Sequence, residues 1–187
     1  AEKIPTEGDE ESYALMRSGN MDGLFQVEGA LYVSLFSRLP PRRFSDIVAS
    51  IALNRPGPLE SGMVEDPVTV GPDATIEDYI KVASGKTEVH YYDERLKPIL
   101  EETYGTMVYQ EQIMQVSMVM SGFSAGRSDV LRKAMGKKKL DVMRQLKEEW
   151  NTGAVANGYK LEIAEQIWND AEKFAKYAFN KSHSAAY

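Results

Sequence analysis

The sequence predicts an all-α fold, a compact assembly of many short and medium helices. Apolar residues recur at the helical spacing of about 3.6 along most of the chain. Alternating, strand-like patterns are nearly absent, and Gly, Pro and Asn fall between the periodic runs, where they stop helices. A chain of 187 residues lies within the usual range of about 100–200 for one unit, so residues 1–187 are read as a single domain.

Asp9 opens a polar helix that reaches Arg17, with Gly19-Asn20 as its stop. Leu31, Leu35 and Leu39 line one face of the next helix with Phe36 beside them, and Pro40-Pro41 end it. Ser45 can cap a segment that buries Ile47, Val48 and Ile51, and Arg55-Pro56-Gly57-Pro58 enforces a turn. Residues 61–75 have no period and contain Pro67, Gly71 and Pro72, which predicts a loop. Thr75 can cap a short helix through Val82 that Gly85 ends, and residues 88–92, centred on His90-Tyr91-Tyr92, are the one stretch of extended or strand character. From Tyr109 to Met120 the second half is apolar on nearly every face, the pattern of a buried central helix. Ser121-Gly122 closes it, Ser124 starts the next helix and Gly136 ends that one. Val142, Leu146 and Trp150 mark one face of another helix, which Asn151-Thr152-Gly153 either breaks or extends. After the Asn157-Gly158 turn, Leu161, Ala164, Trp168, Ala171 and Ala175 form the stripe of a last long helix.

A hydrophobic content of 43% with 27% charged residues fits a soluble folded chain, and no run of about 18 apolar residues could span a membrane. No targeting segment is visible. The absence of cysteine excludes disulfides and thiolate metal sites. His90 and His183 are the only histidines, which argues against a histidine-rich metal site. A reducing, cytoplasmic location fits. The chain lacks an initiator Met and stops at Ser184-Ala185-Ala186-Tyr187 without a helix breaker, so it reads as an excised piece of a larger protein.

The charge distribution is uneven. Residues Arg127 to Lys147 hold eight Lys/Arg against two Asp, a net of +6 in a chain of net −6, which leaves −12 elsewhere. A positive field held against the global balance suits a phosphate-bearing polyanion. Within it, Arg132 and Lys133 flank a face of Val130, Leu131, Ala134 and Met135 and project outward, while Gly136 lets Lys137, Lys138 and Lys139 fan out. The other reading is a solvated helix end, with Lys133 paired to Asp129 one turn earlier.

A second constellation, Phe179-Asn180-Lys181-Ser182-His183-Ser184 behind Tyr177, interleaves donors with flat rings. It suits either a nucleotide or a plain capping turn. A third, Arg55 within Asn54-Arg55-Pro56-Gly57-Pro58-Leu59, is either a rigid support for that guanidinium or a tight interhelical turn. Catalytic templates fare poorly. The carboxylates at helix starts are expected from the helix dipole, and no Asp-x-Asp pair is present to hold two magnesium ions. Gly85-Lys86-Thr87 lacks the leading glycine of a phosphate loop, since Ile80 stands there. Gly122-Phe123-Ser124-Ala125-Gly126 has a helix before it where a nucleophile elbow needs a strand, so Ser124 reads as an N-cap.

Five runs taken together resemble one family, the alpha subunit of the bacterial replicative DNA polymerase III. They are Gly23-Leu24-Phe25-Gln26-Val27-Glu28; Arg55-Pro56-Gly57-Pro58-Leu59 with Ser61-Gly62-Met63; and Tyr104-Gly105 with Tyr109-Gln110-Glu111-Gln112-Ile113-Met114. The other two are Leu131 to Lys139 and Phe179 to Tyr187, and all five stand in family order. The resemblance implies a fingers region that closes over the incoming deoxynucleoside triphosphate and the templating base. It implies that Arg132 and Lys133 face the triphosphate, with Lys137, Lys138 and Lys139 near phosphates of nucleotide or DNA. Asn180, Lys181, Ser182 and His183 would complete the pocket, with Arg55 in or supporting it. It further implies primer-template DNA and other replicase domains and subunits as partners. Two Mg²⁺ ions would be held by palm aspartates outside this segment, with no catalytic or metal-binding residue within it. Relatives often carry arginine at the position of Lys133 and glycine at that of Ala178, and Asp66 to Thr75 looks like a small insertion. The alternative is a non-enzymatic helical module that binds nucleic acid through backbone charge, or a protein-interaction scaffold.

Overall fold

The computed structural model describes residues 8–53, 76–137, 139–174 and 178–187, and apart from one isolated bridge their regular structure is entirely helical. The Arg55–Pro58 turn, the 61–75 loop, the Thr75 cap, Lys138, Ala175 and Tyr177 lie outside the described residues. No helix among the described residues is long and apolar enough to cross a membrane.

Helix α1 (Glu10–Ser18) starts where the Asp9 carboxylate accepts from the Ser12 amide at 3.2 Å and hydroxyl at 2.7 Å, and Gly19 closes it at φ +78°. Helix α2 (Ala30–Arg38) buries Tyr32, Leu35 and Phe36. Leu31 does not join this face. It is exposed, because the helix turns the Tyr32–Phe36 pair onto Met21, Val27 and Ile51 instead. Helix α3 (Phe44–Leu53) begins before Ser45, and the cap comes from Asp46, whose carboxylate accepts from the Arg42 and Arg43 amides at 3.0 and 3.2 Å. Helix α4 (Ile76–Ala83) is closed by Gly85 at φ +73°.

Residues 88–92 form no strand. No described segment pairs with them, and they are held by packing: the Tyr92 hydroxyl donates to Asp170 at 2.6 Å, and a Cβ on Gly105 would lie 2.5 Å from the His90 carbonyl oxygen. The short α5 (Lys97–Leu100) follows, between 3-10 turns at Glu94–Leu96 and Glu101–Thr103.

The largest core lies among α6 (Gln110–Ser121), α7 (Ala125–Lys137), α8 (Leu140–Ala156) and α9 (Leu161–Phe174). At its centre Trp150 and Trp168 meet edge to face at 5.6 Å, and the Trp150 indole donates to the Ala164 carbonyl at 3.0 Å. Helix α6 is central but not buried all round: Val119 is exposed and Gln112, Ser117 and Ser121 are buried. Helix α7 extends one residue past Gly136, and α8 runs straight through Asn151-Thr152-Gly153. Val130 and Leu161 face solvent, since neither α7 nor α9 has a partner on that side among the described residues.

Two features set the geometry of α6. A Cβ on Gly153 would lie 2.1 Å from the Ser121 carbonyl oxygen, so α8 crosses the end of α6 in backbone contact. At the other end, buried Gln112 accepts from the Val108 and Tyr109 amides at 2.8 and 3.0 Å. It donates to the Thr103 hydroxyl at 2.7 Å and the Ile99 carbonyl at 3.2 Å.

Gly153→Ala is expected to lower unfolding stability by about 2 kcal/mol or more through overpacking. Gly126→Ala, at a helical position with open space around it, should instead stabilise by roughly 0.5 kcal/mol; denaturant unfolding of both variants checks the contrast. Gln112→Leu strands two buried backbone amides and should cost about 2–4 kcal/mol in the same assay.

Candidate nucleotide-facing cleft

Helix α7 is started by Ser124, whose hydroxyl accepts from the Arg127 amide at 3.2 Å. This is an N-cap, as its helix-to-helix setting predicts. Leu131, Ala134 and Met135 are buried in the main core and fix the rotation of the helix. That rotation leaves Arg132 half-buried and turns Lys133 and Lys137 to solvent. Arg132, Lys133, Gly136 and Lys137 form one wall of a cleft, Gln110 and Ala178 the other, and Ile113 and Met135 the floor.

Within the cleft Arg132 and Lys133 are already engaged. Arg132 donates through Nε and Nη2 to Asp129 Oδ1 at 3.0 and 2.7 Å, and Lys133 Nζ lies 2.6 Å from Asp129 Oδ2. Hydrogen bonding from Lys133, then from Arg132, holds the Asp129 carboxyl below the ordinary carboxylate range. The remaining Arg132 nitrogen, Nη1, donates to Gln110 Oε1 at 3.2 Å. Gln110 in turn donates through Nε2 to the Ala178 carbonyl at 3.2 Å and through its backbone amide to the Phe179 carbonyl at 2.8 Å. With Phe179 N donating to the Val108 carbonyl at 3.3 Å, this makes the isolated bridge between Tyr109 and Phe179. The basic helix and the C-terminal segment are therefore joined through one glutamine.

The remaining predicted residues are placed as follows. Lys181 sits at the start of α10 (Lys181–Ala186) with its amide donating to both Glu111 carboxylate oxygens at 3.2 and 3.1 Å and its Nζ donating to Glu102 at 2.8 and 2.6 Å. Asn180 is the N-cap of that helix: its Oδ1 accepts from the His183 amide at 2.9 Å and the Ser182 hydroxyl at 2.5 Å. The capping turn that the sequence allowed is thus present. The exposed His183 ring is not part of the cleft lining. It stands in an aromatic row between Phe179 at 5.4 Å and Tyr187 at 4.6 Å, and Phe25 stacks on Tyr187 at 5.6 Å. Lys139 is exposed at the start of α8, its amide donating to the Ala134 carbonyl at 3.2 Å. Arg55 and Lys138 lie outside the described residues.

Sequence reasoning missed Gln110 as the link between the two walls, and it missed Glu111 and Glu102 as the partners of Lys181. The one available signal was the density of side-chain amides and carboxylate in Gln110-Glu111-Gln112 at a helix start. Among the described residues no three His, Asp or Glu side chains converge to hold a metal ion.

A family profile described as the bacterial DNA polymerase III alpha subunit finger domain matches residues 1–158. DNA polymerase III subunit alpha of Aquifex aeolicus (strain VF5) is 48% identical over 179 residues, covering 96% of this chain and 14% of that protein. The subunit alpha of Campylobacter jejuni is 45% identical over 179 residues, again 96% of this chain and 14% of that protein. That of Escherichia coli (strain K12) is 42% identical over 184 residues, 96% of this chain and 15% of that protein. The chain thus spans only 14–15% of the length of these relatives. With a helical fold, a cation-lined cleft and the profile match in agreement, the chain belongs to the finger-domain family of the bacterial DNA polymerase III alpha subunit.

Proposed function

We propose that residues 1–187 act as one domain of a replicative DNA polymerase, binding the incoming deoxynucleoside triphosphate and adjacent DNA for template-directed synthesis. The observation that carries this reading is the convergence of Arg132, Lys133 and Lys137 on a single cleft whose far wall leads into the Asn180–His183 segment. Cations aimed at phosphate oxygens neutralise charge and hold the chain of phosphates in one geometry, which is where most of the protein's contribution to phosphoryl transfer lies. Arg132 offers a planar fork to two oxygens, whereas Lys133 and Lys137 act as point charges. Lys138 and Lys139 continue the positive field toward phosphates of nucleotide or DNA. Lys181 reaches a phosphate by exchanging its Glu102 partner, and His183, with Asn180 and Ser182, borders the base and sugar. Arg55 belongs to the same reading as a supporting cation.

On this reading the family's Mg²⁺ ions are held by residues outside this segment; among the described residues no three His, Asp or Glu side chains converge on a metal position. The ions supply activation of the primer hydroxyl and charge stabilisation of the leaving pyrophosphate. This chain's own residues bind and orient the triphosphate. By itself the chain is expected to extend no primer. Primer-template DNA and the other domains and subunits of a cytoplasmic replicase are the partners this reading requires.

Placing the segment within a full-length subunit and measuring primer extension tests the proposal. Arg132→Ala should lower kcat/KM by about 10- to 100-fold, the range for a lost hydrogen bond to a charged group, and His183→Ala should also reduce it. Parental kinetics in both variants would overturn the site assignment. Binding that weakens steeply with salt and ignores whether the nucleotide is a mono- or triphosphate would favour the non-enzymatic module.

A further inference from the structure

The geometry points to Asp129 as an exchangeable stand-in for phosphate, a positioning residue that keeps Arg132 and Lys133 aligned in the cleft and competes with the ligand for both. This rests on the nucleotide-binding reading above.

Three observations support it. First, one carboxylate occupies the donors a phosphate would use. Oδ1 takes Nε and Nη2 of Arg132, the forked edge of the guanidinium, and Oδ2 takes Lys133 Nζ. Second, the other side of Arg132 is tied to Gln110, which is anchored to main-chain oxygens of Ala178 and Phe179. Arg132 therefore cannot follow a ligand outward without breaking the link between the two walls, and the carboxylate is the group free to yield. Third, the three side chains remain in contact with water, with 31% of Arg132, 59% of Lys133 and 35% of Asp129 exposed. Ion pairs of that exposure are weak enough to exchange. Lys137 also lines the cleft, and among the described residues it makes no ion pair, so it offers an unneutralised charge for first contact.

Exchange has a quantitative signature. A ligand that displaces Asp129 gives up one fixed amount of binding, whatever its own charge, whereas a carboxylate that merely repels the ligand through space penalises more highly charged ligands more. In the full-length subunit without divalent cation, binding of inorganic phosphate, pyrophosphate and tripolyphosphate should tighten in Asp129→Asn by about three- to tenfold. The factor should be the same for all three. Asp129→Ser should behave alike, and Asp129→Glu, which restores a carboxylate, should return toward parental affinity. Weaker or unchanged binding in Asp129→Asn and Asp129→Ser would overturn the inference, as would a factor that grows with ligand charge. Arg132→Ala separates the levels. If it leaves tripolyphosphate affinity unchanged, the nucleotide-site reading itself fails. If it weakens binding while the Asp129 variants do nothing, only the present inference fails.

Discussion

The start of α6 is the constraint on which the rest depends. Within four residues, Tyr109 to Gln112, the chain satisfies polar groups from three other segments. Gln112 takes the amides of Val108 and Tyr109 and reaches back to Thr103 and Ile99. Glu111 accepts the Lys181 amide, and Gln110 binds Ala178, Phe179 and Arg132. Buried amides left without partners are costly, so these contacts leave little freedom in how the C-terminal segment docks. Tyr109 itself is buried in the second apolar cluster with Leu35, Leu39 and Tyr79, while Ile113, one turn on, belongs to the largest one. One helix end thus ties two apolar clusters to the cleft.

Much of the helical organisation was legible in the sequence, because periodicity and caps are local signals. Asp9, Gly19, Ser124 and Gly122 act where their chemistry predicts. Facing was less legible. Leu31 and Val130 have the right hydrophobicity for burial but project to solvent, since which side of a helix is covered depends on neighbours that are distant in sequence. The cations of the cleft stood out as a positive run in an acidic chain, and their pairing with Asp129 follows from one-turn spacing. Gln110 did not stand out. A neutral amide carries no charge signal, and its main-chain partner at Ala178 lies 68 residues away.

The electrostatics show how an acidic chain maintains a cation-lined cleft. Asp129 answers Arg132 and Lys133, Glu102 answers Lys181, and Glu149 answers Arg127 at 2.6 Å. Each pair is solvent-accessible, so it contributes little to stability, but it orders a long flexible side chain before any ligand arrives. Order imposed in advance reduces what binding must later fix.

The position of the two tryptophans has a practical corollary. Trp150 and Trp168 are both fully buried against each other in the main core, and neither lines the cleft. Intrinsic fluorescence of this segment is therefore a gauge of core integrity: its emission follows denaturation and is insensitive to occupancy of the cleft, so ligand titrations call for an extrinsic reporter.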